Sequence, residues 1–522
     1  MSAIVTDNFR ILNASNFVDS VNDSVNSYYV FVGLSNPTTS GFGRDSNWNV
    51  SQPNPTDNID YLNHYESTIL FGKKITSANV RRVIRKIDWI SGTQYEMYRP
   101  DYSVMNPSPT TGAMRLYDAN YYVLNSEYKV YICIDNGSSG IKPTGNSSEI
   151  EPTFTDLEPT KLSDGYTWKY LYTVSPSDIV KFDSSEYITL PNDWNTSTDP
   201  QIVSVRENGD SNINQNQIKK IFIQNEGQGY TTGTRTCNLV GDGLGGTVSV
   251  TVNSSTKISD VTVTSGGKNY TYALVDLGTT SNNAPTTYAE LIPIIPPSKG
   301  HGYNIYEELG ADKVLVYARF DDSTKDFPVD TKFAQVGIIK NPTVYDSTGV
   351  STTVYTQNEF SALSGVALTS ITGGTPSVGD KIQQTHSDGK KSVAYVASYD
   401  SETKILKYYR DRSLYFSGGG GTTHTDFIGI STFFNSNGLI EFNSSTQITS
   451  TAGWSASVDT TITNTSTITI GNKIINLGST FTNGFSLPEI NSKSGDIIYI
   501  SNRKTVERNL RQKEDIKIIL EF

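Results

Sequence analysis

Short segments that alternate apolar and polar residues dominate the hydrophobic pattern of this chain. The clearest one lies between Ser163 and Pro191, where Tyr166, Trp168, Tyr170 and Tyr172 occupy every second position. A period of two is that of a β-strand, so the pattern predicts a strand with four aromatic side chains on one face. Because such a face has to be covered, we predict that this strand is central to a packed sheet.

Turn and breaker residues bound the predicted strand. Asp164 and Gly165 supply a turn before it, and Pro176 ends it because proline has no N–H to donate to a neighbouring strand. Residues 186–190 return to strand-forming sequence. Upstream, residues 117–135 alternate in the same way and predict a hairpin-like pair of strands.

The N-terminal part of the chain predicts a helix, a strand and a long loop. Apolar residues recur at helical spacing from Asn13 to Asn26, and Tyr28–Gly33 is typical of a strand. Residues 35–60 contain several Pro and Gly residues and predict an irregular loop, which either packs on the domain or contacts a partner. Its Trp48 is therefore a candidate partner contact.

The segment Ser77 to Trp89 predicts an amphipathic helix. The apolar residues on one helical face are Val80, Val83, Ile84 and Ile87. The basic residues that lie elsewhere around it are Arg81, Arg82, Arg85 and Lys86. A basic helix on an acidic protein suggests contact with a nucleic acid or a protein partner, whereas a solvated face over a packed stripe explains the pattern equally well.

An internal repeat follows. The pattern I-x-x-[IV]-x-[IV]-x-x-x-G-x-x-Y-T begins at Ile218 and again at Ile258. Each copy alternates apolar residues and then turns at a glycine. We therefore expect the two copies to pair into one small inserted β-module between about residues 209 and 288.

A second interruption runs from about residue 343 to residue 493 and is rich in Ser, Thr, Gly and Asn. Its strand-like runs are 379–384, 392–397, 405–410, 460–470 and 473–477. The succession of GDKIQQ, SVAYVASYD and KILKYY predicts a small barrel of short strands. The whole chain is thus predicted to be mainly β, with β-sandwich or barrel domains, a few short helices and inserted small β-modules.

Composition narrows the class of protein. A chain of 522 residues is long enough for two to four domains, and 36% hydrophobic with 18% charged residues predicts a soluble globular protein. We expect no secretory signal and no membrane insertion, because no apolar run approaches the roughly 18 residues of a membrane span. A net charge of −11 argues against nucleic-acid binding. Cys133 and Cys237 are expected to be reduced and buried.

No catalytic or cofactor motif stands out. Gly241–Gly246 matches G-x-G-x-x-G, but strand-like sequence follows it, so a turn inside the repeat is the better interpretation than a dinucleotide site. His64, His301, His386 and His424 are scattered without metal-ligand spacing. The numerous carboxylates leave a glycosidase pair open without favouring one. We expect no enzyme activity, no cofactor and no metal.

Several segments resemble a known family. They are AIVTDNFR, VIRKIDW, VYICID, SDGYTWKYLY, EYITLP, GIIKNP and the C-terminal IIYISNRKTVERNLRQKEDIKIILEF. In this order they are similar to the baseplate wedge subunit often called protein 8, from contractile-tailed phages of the T-even type, and most similar to cyanobacterial phage versions. The resemblance implies a discontinuous wedge core of residues 1–208, 289–342 and 494–522, with 209–288 and 343–493 inserted.

The resemblance also implies a structural role. Members of this family are mainly β, form homodimers and contact other wedge proteins in the tail baseplate of the virion, after assembly in the host cytoplasm. They have no known enzymatic activity. Trp48, Arg81, Arg82, Arg85 and Lys86 are the candidate partner contacts. Two alternatives stay open. One is a receptor- or carbohydrate-binding tail protein, suggested by the Gly-Tyr-Thr repeats and the Ser/Thr-rich insertion, whose exposed aromatics could stack on sugars. The other is a glycan-degrading tail enzyme.

Overall fold

The computed structural model describes residues 4–35, 47–209, 217–278, 285–321, 332–347, 351–410, 434–435, 438–507 and 512–522. The helices of these residues are α1 (Asp7–Asn22), α2 (Ile59–Ser67), α3 (Pro176–Phe182), α4 (Pro200–Gly209) and α5 (Ile305–Glu308). In this part of the chain no helix is both long and apolar enough to cross a membrane.

Strands make up most of the regular structure. The strands of the first part of the chain are β1 (Tyr28–Gly33), β2 (Ile69–Ile75), β3 (Val80–Arg85), β4 (Tyr122–Leu124), β5 (Lys129–Asp135), β6 (Thr160–Lys161), β7 (Thr167–Thr173), β8 (Tyr187–Thr189), β9 (Ile221–Asn225), β10 (Gly233–Gly241), β11 (Leu244–Val252), β12 (Ile258–Lys268), β13 (Ala273–Asp276), β14 (Glu290–Pro293) and β15 (Lys313–Asp321). Those that follow are β16 (Lys332–Lys340), β17 (Glu359–Ser361), β18 (Ser364–Thr372), β19 (Lys381–Thr385), β20 (Lys391–Asp400), β21 (Ile405–Tyr409), β22 (Phe434–Asn435), β23 (Gly438–Leu439), β24 (Ile448–Ser450), β25 (Ser455–Val458), β26 (Thr465–Ile470), β27 (Lys473–Phe481), β28 (Phe485–Ser486), β29 (Asp496–Glu507) and β30 (Lys513–Glu521). The prediction of a mainly β, multidomain chain is confirmed.

The chain divides into two compact units. Unit 1 consists of Met1–Val18, Arg81–Leu315 and Ile519–Phe522, and unit 2 consists of Asp19–Val80 and Val316–Ile518. These two units differ from the predicted division into a discontinuous core and two inserted modules, which stays a prediction.

The predicted aromatic strand is β7, in the interior of a unit 1 sheet with the order β4-β5-β7-β6. Tyr166, Trp168, Tyr170 and Tyr172 are all buried, and the rings of Tyr166 and Trp168 stack with centroids 5.3 Å apart. The opposite face of the strand is buried as well. There the Lys169 ammonium donates a 2.6 Å hydrogen bond to the Leu157 carbonyl, and burial lowers the pKa of Lys169 to about 8.

The helix predicted for Ser77 to Trp89 is wrong, because Val80–Arg85 forms strand β3. In unit 1 it pairs antiparallel with β8, with Ile84 opposite Ile188. Arg82 points inward with Val80 and Ile84, which is the two-residue period of a strand. An arginine at a core position broke the apolar alternation, so the apolar residues that remained matched a helical period by coincidence.

The helix predicted for Asn13 to Asn26 exists, but α1 spans Asp7–Asn22. It begins earlier because the Thr6 hydroxyl accepts a hydrogen bond from the Phe9 amide, which is an N-terminal cap. The first turns of the helix carry exposed Phe9 and Leu12, so the amphipathic pattern does not mark the true start.

The two repeat copies share one hydrophobic core in unit 1, to which Ile218, Tyr230, Ile258 and Tyr270 all contribute. Their strands lie in two different sheets. The strand of the first copy, β9, pairs with β14, whereas β12 of the second copy is an edge of the sheet β12-β11-β10-β13. A reciprocal pair of bonds joins the copies: the Ile218 amide donates to the Gly266 carbonyl and the Ile258 amide to the Glu226 carbonyl, both at 3.1 Å.

The glycine and tyrosine of the repeat pack together in both copies. Gly227 and Gly267 have φ of +63° and +61°. A Cβ at Gly227 would lie 2.7 Å from the Tyr230 ring, and one at Gly267 would lie 2.6 Å from the Tyr270 ring. Glycine is therefore required at both positions, for backbone conformation and for space.

Unit 2 contains a five-stranded sheet with the order β17-β2-β1-β16-β29. All its pairings are antiparallel, and the central strand β1 is buried along its whole length. At the edge, β29 pairs with β16 through a register shift opposite Phe333 and Gln335. This bulge leaves residues 503–505 of β29 without partners in β16.

Unit 2 also contains a closed barrel. The strands follow the order β21-β20-β19-β24-β25-β18, the β18–β21 pairing closes the ring, and β28 adds to β18. Its core includes Trp454, whose indole N–H donates a 2.8 Å hydrogen bond to the Asp380 carboxylate. The small barrel predicted from the Ser/Thr-rich sequence is confirmed.

Candidate functional site

Trp48 lies in the interior of unit 2. Its side chain is 1% exposed and packs against Leu34 and Ala334. The indole N–H donates a 2.7 Å hydrogen bond to the Arg503 carbonyl. The loop was predicted either to pack on its own domain or to contact a partner. Residues 47–53 pack on their own domain. Residues 36–46 lie outside the described residues.

The turn around Trp48 closes the bulge of β29. The Thr505 amide donates a 3.0 Å bond to the Asn49 side chain, and the Asn502 side chain donates a 2.8 Å bond to the Pro53 carbonyl. The contacts to Arg503 and Thr505 satisfy backbone groups that β16 leaves unpaired. The same turn holds Val50 in solvent, 84% exposed. Trp48 thus anchors a turn that displays an apolar side chain.

Arg82 is buried in unit 1, with 4% of its surface exposed. Its guanidinium lies 4.4 Å from the centre of the Tyr306 ring. It also donates hydrogen bonds to the Ser15 hydroxyl at 3.4 Å and to the Asn192 carbonyl at 3.5 Å. A cation over an aromatic face with several acceptors around it is a structural arrangement that tolerates burial.

The other three predicted basic contacts do not form one face. Arg81 makes a two-oxygen ion pair with Asp178 at 3.0 Å. Arg85 donates to the Ala119 carbonyl at 2.9 Å and to the Tyr117 carbonyl at 3.2 Å. Lys86 lies 3.8 Å from the Asp88 carboxylate. Arg81 and Arg85 hold separate segments of unit 1 together, whereas the Lys86 contact is local. Contact of these side chains with a partner stays a prediction.

Sequence reasoning missed a set of exposed apolar residues in unit 1. On α1, Phe9 and Leu12 are 53% and 55% exposed, and the preceding Val5 is exposed as well. Phe9 and Leu12 lie three residues apart on one face of the helix, and Val5 precedes its first residue. Met105 and Met114 are also exposed. The signal was present in the sequence as a second apolar stripe, opposite the buried residues Ile11, Ala14 and Val18.

Two of the described histidines, His301 and His386, have local polar partners. The His301 ring nitrogen Nδ1 lies 2.5 Å from the Glu308 carboxylate in the interior of unit 1. His386 contacts the Ser392 hydroxyl at 2.7 Å. His424 lies outside the described residues. Among the residues that the structure describes, no group of three or more His, Cys, Asp or Glu side chains is arranged to hold a metal ion.

The cysteines and the glycine-rich segment match their predictions. Cys133 and Cys237 are free and buried, and burial raises the pKa of both thiols. Gly241 ends β10 and Leu244 begins β11, so the G-x-G-x-x-G segment is the turn of a hairpin. No helix follows it, and the prediction that it is a turn inside the repeat is confirmed.

The repeat tyrosines are structural. The Tyr270 hydroxyl donates to the Leu239 carbonyl at 3.0 Å and accepts from the Gly246 amide at 3.2 Å. The Tyr230 hydroxyl accepts from the Ala289 amide at 2.8 Å. Both rings are buried, so they are not the exposed aromatic platforms that the carbohydrate-binding alternative assumed.

A pocket of about 110 Å³ opens beside Tyr230 in the repeat module. Its apolar lining consists of Val250, Val252, Ile258, Leu277 and Pro285, and it is completed by Tyr230, Arg235, Gly278 and Tyr288. Tyr288 is 76% exposed at its rim. Arg235 donates a hydrogen bond to the Thr231 carbonyl.

Part of the chain is similar to a known protein. The chain is 25% identical over 223 residues to the baseplate wedge protein gp8 of Enterobacteria phage T4. The match covers 36% of this chain and 60% of the T4 protein, so this chain spans about 60% of the length of that relative. No family model matches the chain. The chain is therefore similar in part to a phage baseplate protein.

Proposed function

We propose that this protein is a structural subunit of a phage tail baseplate that joins neighbouring wedge proteins during baseplate assembly and acts in the contractile tail. The observation that carries the proposal is the partial similarity to the T4 baseplate wedge protein. Under this proposal the protein is not an enzyme, is located in the tail baseplate of the virion, and is assembled in the host cytoplasm. A cyanobacterial host of the phage belongs to the same proposal.

The arrangement of the described residues supports a recognition role. Apolar side chains that a packed core does not use are exposed at several places, including Val50, Val5 and the α1 residues Phe9 and Leu12. Protein interfaces commonly have an apolar centre and a polar rim. We propose that the chain forms a homodimer and that its dimer binds other baseplate wedge proteins without nucleotide, metal or nucleic acid.

We assign each predicted contact residue a role in this proposal. Trp48 would contribute by ordering the turn that presents Val50. Arg81, Arg85 and Lys86 are half-buried, so their remaining surface could meet an acidic neighbour, whereas Arg82 would act by supporting β3. The inserted modules at 209–288 and 343–493 would supply further contacts.

Light scattering and co-sedimentation test the proposal. The purified chain should have the mass of a dimer, and it should sediment with wedge proteins encoded by the same phage. Phe9→Ser combined with Leu12→Ser should weaken one of these associations without unfolding the chain. Asn16→Ser, which replaces an exposed polar residue of the same helix, is the control and should leave both associations unchanged. A stable monomer that binds no wedge protein would contradict the proposal.

A further inference from the structure

The pocket of the repeat module has an unusual combination of lining groups. Five of its residues are aliphatic or proline, and they form an apolar floor and wall around about 110 Å³. A cavity of roughly 150 Å³ in another protein accepts one benzene molecule, so this pocket has room for one apolar side chain. It does not have room for an extended ligand.

One cation lies beside this apolar pocket. Arg235 is opposite Val250 in the β10–β11 register, so its side chain starts from the face of the sheet that carries the core residues Cys237 and Leu239. Among the described residues its guanidinium has a single partner, the Thr231 carbonyl, and no carboxylate within ion-pair distance. A guanidinium has five N–H donors and pairs best with a carboxylate, so most of its donor capacity is available.

The groups around the pocket discriminate between classes of ligand. A sugar ring would bring several hydroxyl groups against aliphatic side chains, and hydroxyls buried without partners are costly. The Tyr230 hydroxyl is already bonded to the Ala289 amide. An apolar side chain next to a carboxylate satisfies both halves of the site, because the side chain fills the pocket while the carboxylate meets Arg235. This combination occurs at the C-terminus of a polypeptide that ends in an apolar residue.

We infer that the repeat module binds the C-terminal residue of a partner protein, with an apolar side chain in the pocket and its carboxylate on Arg235. Tyr288 covers the bound residue from the rim. The Phe522 side chain is used elsewhere, since its ring packs 5.8 Å from the Phe17 ring. The inference rests on the proposed assembly role only for the source of the partner, which would be another structural protein of the same virion.

Fluorescence polarisation with short labelled peptides tests the inference. A peptide that ends in Leu with a free carboxylate should bind the full chain at least about tenfold more tightly than the same peptide with a C-terminal amide, because only the free acid makes a charge-assisted hydrogen bond with Arg235. Arg235→Gln should reduce this preference to less than twofold. Arg10→Gln, a half-buried arginine of α1, should retain the full preference.

A second variant and a competing ligand test the inference further. Tyr288→Ala is a substitution of a 76% exposed residue, so it should weaken binding of the free acid without affecting folding. Equal affinity for acid and amide, or no binding of Leu-, Ile- and Phe-terminated peptides at millimolar concentration, would overturn the inference. Glucuronic acid that displaces the peptide more effectively than acetyl-leucine would reassign the pocket to acidic sugars. If the chain binds the peptide but joins no wedge protein, the proposed function is wrong and the assignment of the pocket still holds.

Discussion

The indole N–H of Trp48 donates a 2.7 Å hydrogen bond to the carbonyl of Arg503, although 455 residues separate them in the chain. The bond lies at the bulge where β29 departs from β16, and the same turn binds Asn502 and Thr505. In unit 2 the turn at residues 47–53 and strand β29 therefore stabilise each other. Trp48 is a core residue as well as a predicted contact.

Replacing Trp48 should destabilise unit 2. Trp48→Ala is expected to cost about 3–5 kcal/mol, which is the usual cost of removing a large buried aromatic side chain. Amide hydrogen exchange of β29 should accelerate more than that of the barrel strands. Val50→Ala, from the same turn but 84% exposed, should leave exchange unchanged. Unchanged exchange in Trp48→Ala would show that the turn is not anchored by this residue.

Arg82 should matter more for stability than its basic neighbours. Arg82→Ala removes a buried cation from the Tyr306 ring and leaves acceptors without a donor, so a loss of about 2–4 kcal/mol is expected. Lys86→Ala should cost less than about 1 kcal/mol, because it removes a weak ion pair near the surface. Hydrogen exchange of β8, the pairing partner of β3, measures both effects. Similar exchange in the two variants would contradict the buried role of Arg82.

The sequence and the structure agree where local pattern determines the fold. Four aromatic residues at alternate positions predicted β7, because both the side-chain period and the need for burial are local properties. The pattern failed at β3, where Arg82 occupies a core position next to the Tyr306 ring, the Ser15 hydroxyl and the Asn192 carbonyl. It also could not place Trp48, whose partner Arg503 is remote in sequence. The pocket beside Arg235 could not be predicted either, because its lining comes from several separate segments of the chain.

Lys407 should make the stability of unit 2 depend on pH. Its ammonium group is buried, 3.3 Å from the Ser361 hydroxyl and 5.2 Å from the centre of the Phe71 ring, with the Glu489 carboxylate acting on it from the same unit. Burial lowers its pKa to about 8, with Glu489 opposing the shift. Because the unfolded pKa is about 10.4, the unfolded chain binds more protons between these values, so stability should rise with pH above 8.

Urea titrations at pH 8.0 and pH 9.5 test whether the stability rises with pH. The free energy of unfolding should increase between the two pH values by up to about 1.4 kcal/mol per pH unit in the wild type. The increase should be smaller in Lys407→Met, which keeps the apolar stem and removes the titrating group. Measuring the difference between the two proteins cancels the opposing titration of the tyrosines near pH 10. An identical pH dependence in both would contradict a buried, titrating Lys407.

The repeat module should be separable from the rest of unit 1. Asn225 of β9 lies opposite Glu290 of β14, so residues 226–289 leave and re-enter at one position of a strand pair. This cut keeps Phe222, which packs on the Arg99 guanidinium at 4.3 Å. Replacing residues 226–289 with Asn-Gly should give a β9–β14 hairpin and leave the remainder folded, since this dipeptide favours two-residue hairpin turns.

Circular dichroism and thermal unfolding test whether the deletion variant still folds. Some loss of stability is expected, because Ile218 and Ile221 lose their cover and each contributes about 1.5–3 kcal/mol when fully buried. A cooperative transition should nevertheless persist. Loss of that transition would show that the module belongs to the main core, contrary to the predicted inserted module at 209–288.

Electron cryomicroscopy of the intact virion tests the central claim most directly. If the protein is a baseplate subunit, density for the closed barrel of β18–β21, β24 and β25 and for the five-stranded sheet should be found in the wedges around the tail hub, repeated with the symmetry of the baseplate. The copies should be paired and should contact other wedge proteins. Density for this chain only at a receptor-binding fibre tip, or its absence from the purified virion, would contradict the account.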